Sequence, residues 1–379
     1  MKKRVLFVFG TRPETIKLAS LIKLYKSRKK EYETFVLVTG QHKEMLYQAL
    51  DLFQIVPDKD LKIMSHNQNL TDLTVNIVSG VSDVMNEFNP DLLFVQGDTT
   101  STFAASIAAF YNKVPVAHIE AGLRTGNLYS PFPEEANRRL TGVISTYHFP
   151  PTKESAQNLL KEGYDKNNIY ISGNTVIDSL LTISEELEGK EISENLENWF
   201  RKKYGISFDN SIRTILVTGH RRESFGEGFL NICNALKEIA NQESIQIIYP
   251  VHLNPNVQDP VNSILKKSPN IFLIEPQEYK PFVFLMKKSY FILTDSGGIQ
   301  EEAPSLGKPV LLMRENTERT EGIKSGSSIL VGVEKEMIVN ETSSLLHNED
   351  LYAKMSNVVN PYGSGNSAQI IFEALKEKI

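Results

Sequence analysis

A chain of 379 residues is longer than one hydrophobic core usually supports, so two domains are expected. Apolar residues at 41% and charged residues at 23% give an ordinary globular balance, and the net charge of −5 argues against a nucleic-acid binder, which carries a basic surplus. The single cysteine, Cys233, excludes an internal disulfide, no Cys/His cluster has zinc spacing, and no apolar run reaches the roughly 18 residues of a membrane span.

The chain opens with Met1-Lys2-Lys3-Arg4 and the apolar run Val5–Phe9. The run is too short for a signal peptide and is ended by Gly10-Thr11-Arg12, so it reads as a buried strand. Gly10 permits a tight turn and Pro13 suits the first turn of a helix. Free backbone N–H groups there, with Arg12 and Lys17, make a candidate anion site, although the spacing is not that of a P-loop. Phe35–Val38 is the next strand. Asp58-Lys59-Asp60 imitates a metal-binding Asp-x-Asp, but it follows Pro57 in an expected polar loop and reads as chance.

Ile77, Val81, Val84, Met85 and Phe88 carry helical periodicity. The strand Leu92–Val95 then runs into Gln96-Gly97-Asp98-Thr99-Thr100-Ser101, where Asp98 reads either as a helix N-cap or as a functional carboxylate. The strand Val114–Ile119 ends on Glu120, and a carboxylate that closes an apolar strand has few structural reasons to be there. His118 shares its face of the strand and reads equally as a core histidine. Pro131 and Pro133 rigidify the next approach, and Glu134 and Glu135 fall in the first turn of a helix, where carboxylates are favoured in any case. Tyr147–Phe149 closes this series of strands.

The polar stretch Glu185–Asn210, with a short helix around Trp199, precedes a second series: Ile212–Val217, Ile245–Tyr249, Ile271–Ile274, Tyr290–Leu293 and Val310–Met313. Strands apolar on both faces, alternating with helices, imply parallel sheets covered on both sides. The expected domains are residues 1–175 and 176–365, with a helix in 366–379 returning to the first. Thr218-Gly219-His220-Arg221-Arg222-Glu223-Ser224 follows a strand and suits a phosphate or leaving group; His252 is a weaker case. In Thr294–Ala303, Ser296-Gly297-Gly298 lets backbone approach a diphosphate at a helix start, and Glu302 is spaced to accept from ribose hydroxyls. Arg314 and Arg319 come after the next strand and are candidates to face phosphates. No G-x-G-x-x-G fingerprint supports a nicotinamide cofactor. Cys233, in an apolar helical stretch, reads as core packing.

Together, Gly10–Lys17, Gln96–Thr100, His118–Thr125, Ser130–Asn137, Thr218–Ser224, Thr294–Ala303 and Asn360–Gly365 resemble the non-hydrolysing UDP-N-acetylglucosamine 2-epimerases of bacteria. The resemblance implies an α/β fold of two Rossmann-like, doubly wound parallel-sheet domains of GT-B type, with the active site in the interdomain cleft. It also implies a cytoplasmic homodimer, no cofactor and no metal, and UDP-N-acetylglucosamine and UDP as ligands. The implied chemistry is loss of UDP from C1 and a proton from C2 to give 2-acetamidoglucal, then re-addition to UDP-N-acetylmannosamine for cell-surface polysaccharides. Position by position, it puts the catalytic carboxylates on Asp98, Glu120 and Glu134 and the essential histidine on His220. UDP contacts fall on Arg12, Lys17, Ser296, Gly297, Gly298, Glu302 and Arg319, and uracil recognition falls near Gln277 and Phe282.

Some members carry a second, activating substrate site, which Gln41, Glu134, Arg221 and His252 match. Asn67 stands where those members have arginine, and Glu44 where they have glutamine, so weak or absent activation is expected. The rival readings are a UDP-sugar-dependent glycosyltransferase of the same fold, a hydrolysing epimerase, a 2-epimerase of a modified UDP-N-acetylhexosamine, and an inactive UDP-sugar sensor.

Overall fold

The computed structural model describes residues 1–40, 43–64, 69–209, 211–241 and 244–379; Gln41 and Asn67 lie outside them. The chain divides into two units, Met1–Ser179 with Tyr362–Ile379, and Leu180–Pro361. The divisions therefore fall at 179 and 361, against the expected 175 and 365.

In the first unit β1 (Lys3–Phe9), α1 (Arg12–Ser27), β2 (Tyr32–Val38), α2 (Lys43–Leu52), β3 (Lys59–Asp60), α3 (Leu70–Phe88), β4 (Leu92–Gln96), α4 (Thr100–Tyr111), β5 (Val116–Ile119), α5 (Glu134–Ile144), β6 (Tyr147–Phe149) and α6 (Lys153–Lys161) follow in order, before α7 (Thr175–Glu186). The second unit holds α8 (Lys190–Tyr204), β7 (Arg213–Thr218), α9 (Glu227–Ile239), β8 (Ile245–Pro250), α10 (Pro255–Leu265), β9 (Ile271–Ile274), α11 (Tyr279–Lys288), β10 (Phe291–Thr294), α12 (Gly297–Glu302), β11 (Val310–Leu312), α13 (Thr320–Ser325), β12 (Ser328–Leu330), α14 (Lys335–His347) and α15 (Glu349–Ser356). The last helix, α16 (Ser367–Leu375), belongs to the first unit.

Each unit is built on a six-stranded sheet, ordered β3-β2-β1-β4-β5-β6 and β12-β11-β10-β7-β8-β9. All pairings are parallel, and both orders are the Rossmann order read in opposite directions. Chain order reverses between β1 and β4 and between β7 and β10. These are the switch points where such sheets leave a crevice at their carboxyl ends.

The apolar runs form strands because both faces are covered. Val5 through Phe9 are fully buried, and Phe7 of β1 stacks on Phe94 of β4 with centroids 4.6 Å apart. Helix starts are set locally: Thr11, Asn69, Thr99 and Thr152 each accept from the backbone N–H three residues on. The C-terminal helix is tied down by Asp178, whose carboxylate accepts from the N–H groups of Ser367 (3.2 Å) and Ala368 (2.9 Å), and by Phe372, which packs edge-on against Tyr25 and Tyr32.

Two edge strands differ from the sequence reading. Lys59–Asp60 is not loop but the short strand β3, paired with Leu37 and Val38. Its acidic neighbours are consumed by structure: Asp58 accepts from the Val36 N–H at 2.7 Å, and Asp60 from the Tyr47 hydroxyl and the Lys62 N–H. Ser328–Leu330, too short and too polar at its start to register as an apolar run, forms β12. Cys233 is fully buried, and burial pushes its thiol up to about 12. Among the described residues no group of three or more His, Cys, Asp or Glu side chains is arranged to hold a metal, and no helix is long and apolar enough to cross a membrane.

Candidate functional site

In the first unit the β1–α1 and β4–α4 turns sit side by side at the switch point. The sequence reading left the Gly10 N–H open for an anion. It is instead donated to Glu14 Oε2 at 3.0 Å. Glu14 is buried in the turn, and its other oxygen accepts from the hydroxyls of Thr99 (2.7 Å) and Thr102 (3.1 Å). Burial raises its carboxyl above the ordinary range, against the pull of the Thr99, Thr11, Gly10 and Thr102 hydrogen bonds.

Asp98 is not the cap of α4; Thr99 is. The Asp98 carboxylate instead meets the Arg138 guanidinium, with Nε at 3.1 Å, while its carbonyl accepts from Asn137 Nδ2 at 3.0 Å. Arg138 lies one turn beyond Glu134 on α5. It is also held by Glu135 (3.0 Å), which accepts from Arg139 and from the N–H groups of Thr125 and Gly126. Glu135 is therefore structural. Glu134 is half-buried at the start of α5, and its side chain has no hydrogen bond or ion pair among the described residues.

Glu120 has a left-handed backbone, φ 63°, an uncommon conformation for a non-glycine residue. It pairs with Lys17 and accepts from Asn174 Nδ2 at 2.8 Å, the pair being largely buried with side chains 14% and 7% exposed. A Cβ on the neighbouring Gly97 would lie 3.8 Å from Glu120 Oε1, so Asp98 follows a residue that abuts the second carboxylate. Arg12, at the start of α1, is half-buried. Arg138, Asn174 and Glu14 were missed by sequence reasoning; Glu14 stands in a motif already singled out and Arg138 directly follows one, but their partners are far away in the chain.

His118 is buried, its Nε2 2.7 Å from the Gly97 carbonyl oxygen, and so must donate there. Burial lowers its pKa to about 3, and burial together with Arg124 lowers that of His148 to about 4. Both stay neutral in the fold yet charge near 6.5 when unfolded. Their contribution is therefore present above pH 6.5 and lost as pH falls, by about 1.4 kcal/mol per unit for each histidine. Between pH 6.5 and pH 5 each is expected to cost about 2 kcal/mol. His148→Phe should remove half of that dependence in urea titrations at the two pH values; an unchanged pH dependence refutes the assignment. Glu14 acts with the opposite sign in both chains, so the comparison isolates the histidine.

In the second unit the switch point is organised by Asp295, a buried carboxylate that sequence reasoning left unassigned although it, too, closes an apolar strand. Asp295 Oδ2 accepts from the N–H groups of His220 (2.6 Å) and Arg221 (2.7 Å), and Oδ1 lies 3.5 Å from His220 Nδ1. The His220 ring stacks on His252, centroids 5.3 Å apart. Burial lowers the pKa of His220, Asp295 opposes this, and His252 and Arg221 add to it. Arg221 Nε is buried with no partner among the described residues.

Ser296 precedes α12, and its N–H donates to Thr294 Oγ1 at 2.9 Å. A Cβ on Gly297 would sit 2.6 Å from Arg319 Cζ, so this glycine makes room for the Arg319 guanidinium. Arg319 is held by Glu301 at 2.7 Å and by Glu318. Arg314 binds Glu223 (2.7 Å) and Glu318 (3.0 Å). Although burial works the other way, Arg319 and Arg314 help to hold Glu318 down at about 2. Glu302 Oε2 accepts from the Tyr279 hydroxyl at 2.6 Å, and Gln277 Nε2 donates to the Glu275 carbonyl at 2.6 Å. Phe282 lies half-buried in the first turns of α11.

The family model for UDP-N-acetylglucosamine 2-epimerase matches residues 26–376. The UDP-N-acetylglucosamine 2-epimerase of Escherichia coli (strain K12) is 54% identical over 374 residues, 98% of each chain. That of Campylobacter jejuni is 52% identical over 377 residues, 99% of this chain and 98% of the relative. The crystal structure of UDP-GlcNAc 2-epimerase from Neisseria meningitidis bound to UDP-GlcNAc matches with a TM-score of 0.91 at 50% identity, over 99% of this chain and 100% of that one. With its two Rossmann-like units, this chain belongs to the UDP-N-acetylglucosamine 2-epimerase family.

Proposed function

We propose that this protein interconverts UDP-N-acetylglucosamine and UDP-N-acetylmannosamine by eliminating UDP and adding it back. The observation that carries the reading is the pair of carboxylates at the carboxyl ends of neighbouring strands, Asp98 beyond β4 and Glu120 beyond β5, each held by a cation. Glu134 at the start of α5 supplies a third.

In the forward step a carboxylate takes the C2 proton. The C–H electron pair becomes the C1=C2 bond, and the C1–O pair leaves with UDP. The return step reverses this, with the proton delivered to the opposite face, which needs more than one acid/base group or a turned intermediate. His220 and Arg319 of the second unit stabilise the departing diphosphate, and Ser296, Gly297, Gly298, Glu302, Gln277 and Phe282 of the same unit bind UDP. Phe132-Pro133-Glu134-Glu135 resembles the non-hydrolysing branch, so UDP is recaptured rather than released. The family resemblance supports extending the reading to a cytosolic homodimer serving cell-surface polysaccharide synthesis; a monomer by light scattering would remove the dimer.

The test is incubation with UDP-N-acetylglucosamine in deuterium oxide, without metal or nicotinamide, followed by proton NMR. The C2 proton signal should vanish as UDP-N-acetylmannosamine appears, with no stoichiometric build-up of UDP. No exchange at C2 sinks the elimination on this substrate and favours a modified UDP-sugar or a glycosyltransferase. The same assay should give a hyperbolic rate curve, because Glu44, exposed in the first turn of α2, and Asn67 replace residues of activated relatives. A strongly sigmoidal curve that an Arg221 substitution abolishes would restore the activating site.

A further inference from the structure

We infer that Glu14 is a positioning residue whose buried carboxylate ties the turn carrying Arg12 and Lys17 to the turn carrying Asp98. The inference rests on the epimerase reading for its catalytic consequence, but its structural half stands alone. Glu14 is only 1% exposed and is reached from both turns: by the Gly10 N–H on one oxygen, and by Thr99 and Thr102, 85 and 88 residues away in sequence, on the other.

Thr99 is adjacent to Asp98 and caps α4, so a pull on its hydroxyl is felt at both. The one hydroxyl proton of Thr102 is shared between Glu14 Oε1 at 3.1 Å and the Gln96 carbonyl at 2.6 Å, which draws the strand end on the other side of Asp98 into the same cluster. Three residues along α1, Lys17 grips Glu120. Positions i and i+3 share a helix face. The first turns of α1 thus set both carboxylates: one through Glu14 and the β4–α4 turn, the other by direct ion pairing.

A buried carboxylate with several donors and no role in the chemistry is costly to keep unless geometry depends on it. A small displacement of an acid/base group can cost about 100-fold in turnover without weakening binding.

The test uses the full chain and three variants. Glu14→Ala removes the tie. Glu14→Gln keeps its shape, since the threonine hydroxyls can turn round to accept from the new amide. Thr99→Val cuts one link and covers the case in which Glu14→Ala fails to fold. Hydrogen exchange followed by mass spectrometry should show lost protection in both the Gly10 and the Asp98–Thr102 segments of Glu14→Ala, and recovery in Glu14→Gln. In the epimerase assay kcat should fall about 100-fold in Glu14→Ala, about 10-fold in Thr99→Val and less than about 5-fold in Glu14→Gln, with KM nearly unchanged. Lost protection confined to the Gly10 segment overturns the tie. Full kcat in a folded Glu14→Ala chain, or Glu14→Gln as damaged as Glu14→Ala, overturns the positioning role. If the wild-type chain shows no C2 exchange, the epimerase reading fails while the exchange data still decide the tie.

Discussion

Arg138→Met is expected to destabilise the first unit by about 3–5 kcal/mol and to lower kcat by about 100-fold, with UDP affinity preserved. The guanidinium lies between two carboxylates, Asp98 and Glu135, and the Glu135 side chain is 0% exposed. Removing the cation leaves Glu135 with Arg139, itself half-exposed, and two backbone N–H groups. A buried charge stripped of its partner costs far more than the pair contributes. Among the described residues Asp98 would keep only the Asn137 hydrogen bond to its carbonyl, and none would aim its carboxylate. Arg138→Lys should recover part of both effects, because a single ammonium reaches one carboxylate but cannot match the fork that reaches two. Urea denaturation and the deuterium assay read the two halves separately. Wild-type stability in Arg138→Met would show that Glu135 is satisfied without it.

Gly122→Ala is expected to cost about 3–4 kcal/mol, and it separates two reasons for a glycine. At φ +86° an L-residue pays about 1–2 kcal/mol for the left-handed backbone. The added Cβ would also overlap the Ser155 carbonyl oxygen and come within 2.9 Å of its carbon, on the buried face of α6. Overpacking of that kind adds about 1–3 kcal/mol. Gly126→Ala is the control: φ is +83°, yet no described atom lies within 4 Å of its Cβ, so only the backbone share should appear. Equal losses in the two variants, measured by urea denaturation, would mean that α6 yields freely. The strain in Gly122→Ala acts two residues from Glu120, so its catalytic loss should exceed that of Gly126→Ala.

These effects mark the division between what was legible in the residues and what was not. A run such as Val5–Phe9 can be read as a strand because apolar side chains on both faces demand cover on both faces, whatever the neighbours are. Glu120 stood out for the same local reason: it closes such a run, where a carboxylate is out of place unless it is used, whereas Asp98 read equally as a helix cap. The two-residue β3 and the half-polar β12 escaped because so short a strand carries no period and exists only through its partner.

The sequence alone therefore determined the strand series, the parallel α/β class and the positions beyond the strand ends where chemistry gathers. Those depend on hydrophobic pattern and on turn residues a few positions apart. Tertiary structure alone decided the partners: Lys17 for Glu120, Arg138 for Asp98, Glu14 for the Asp98 turn, Asp295 for His220, and Arg319 beside Gly297. The order of strands in each sheet sets much of this, bringing β1 beside β4 and β7 beside β10. Such pairings join segments far apart in the chain, which no local period records.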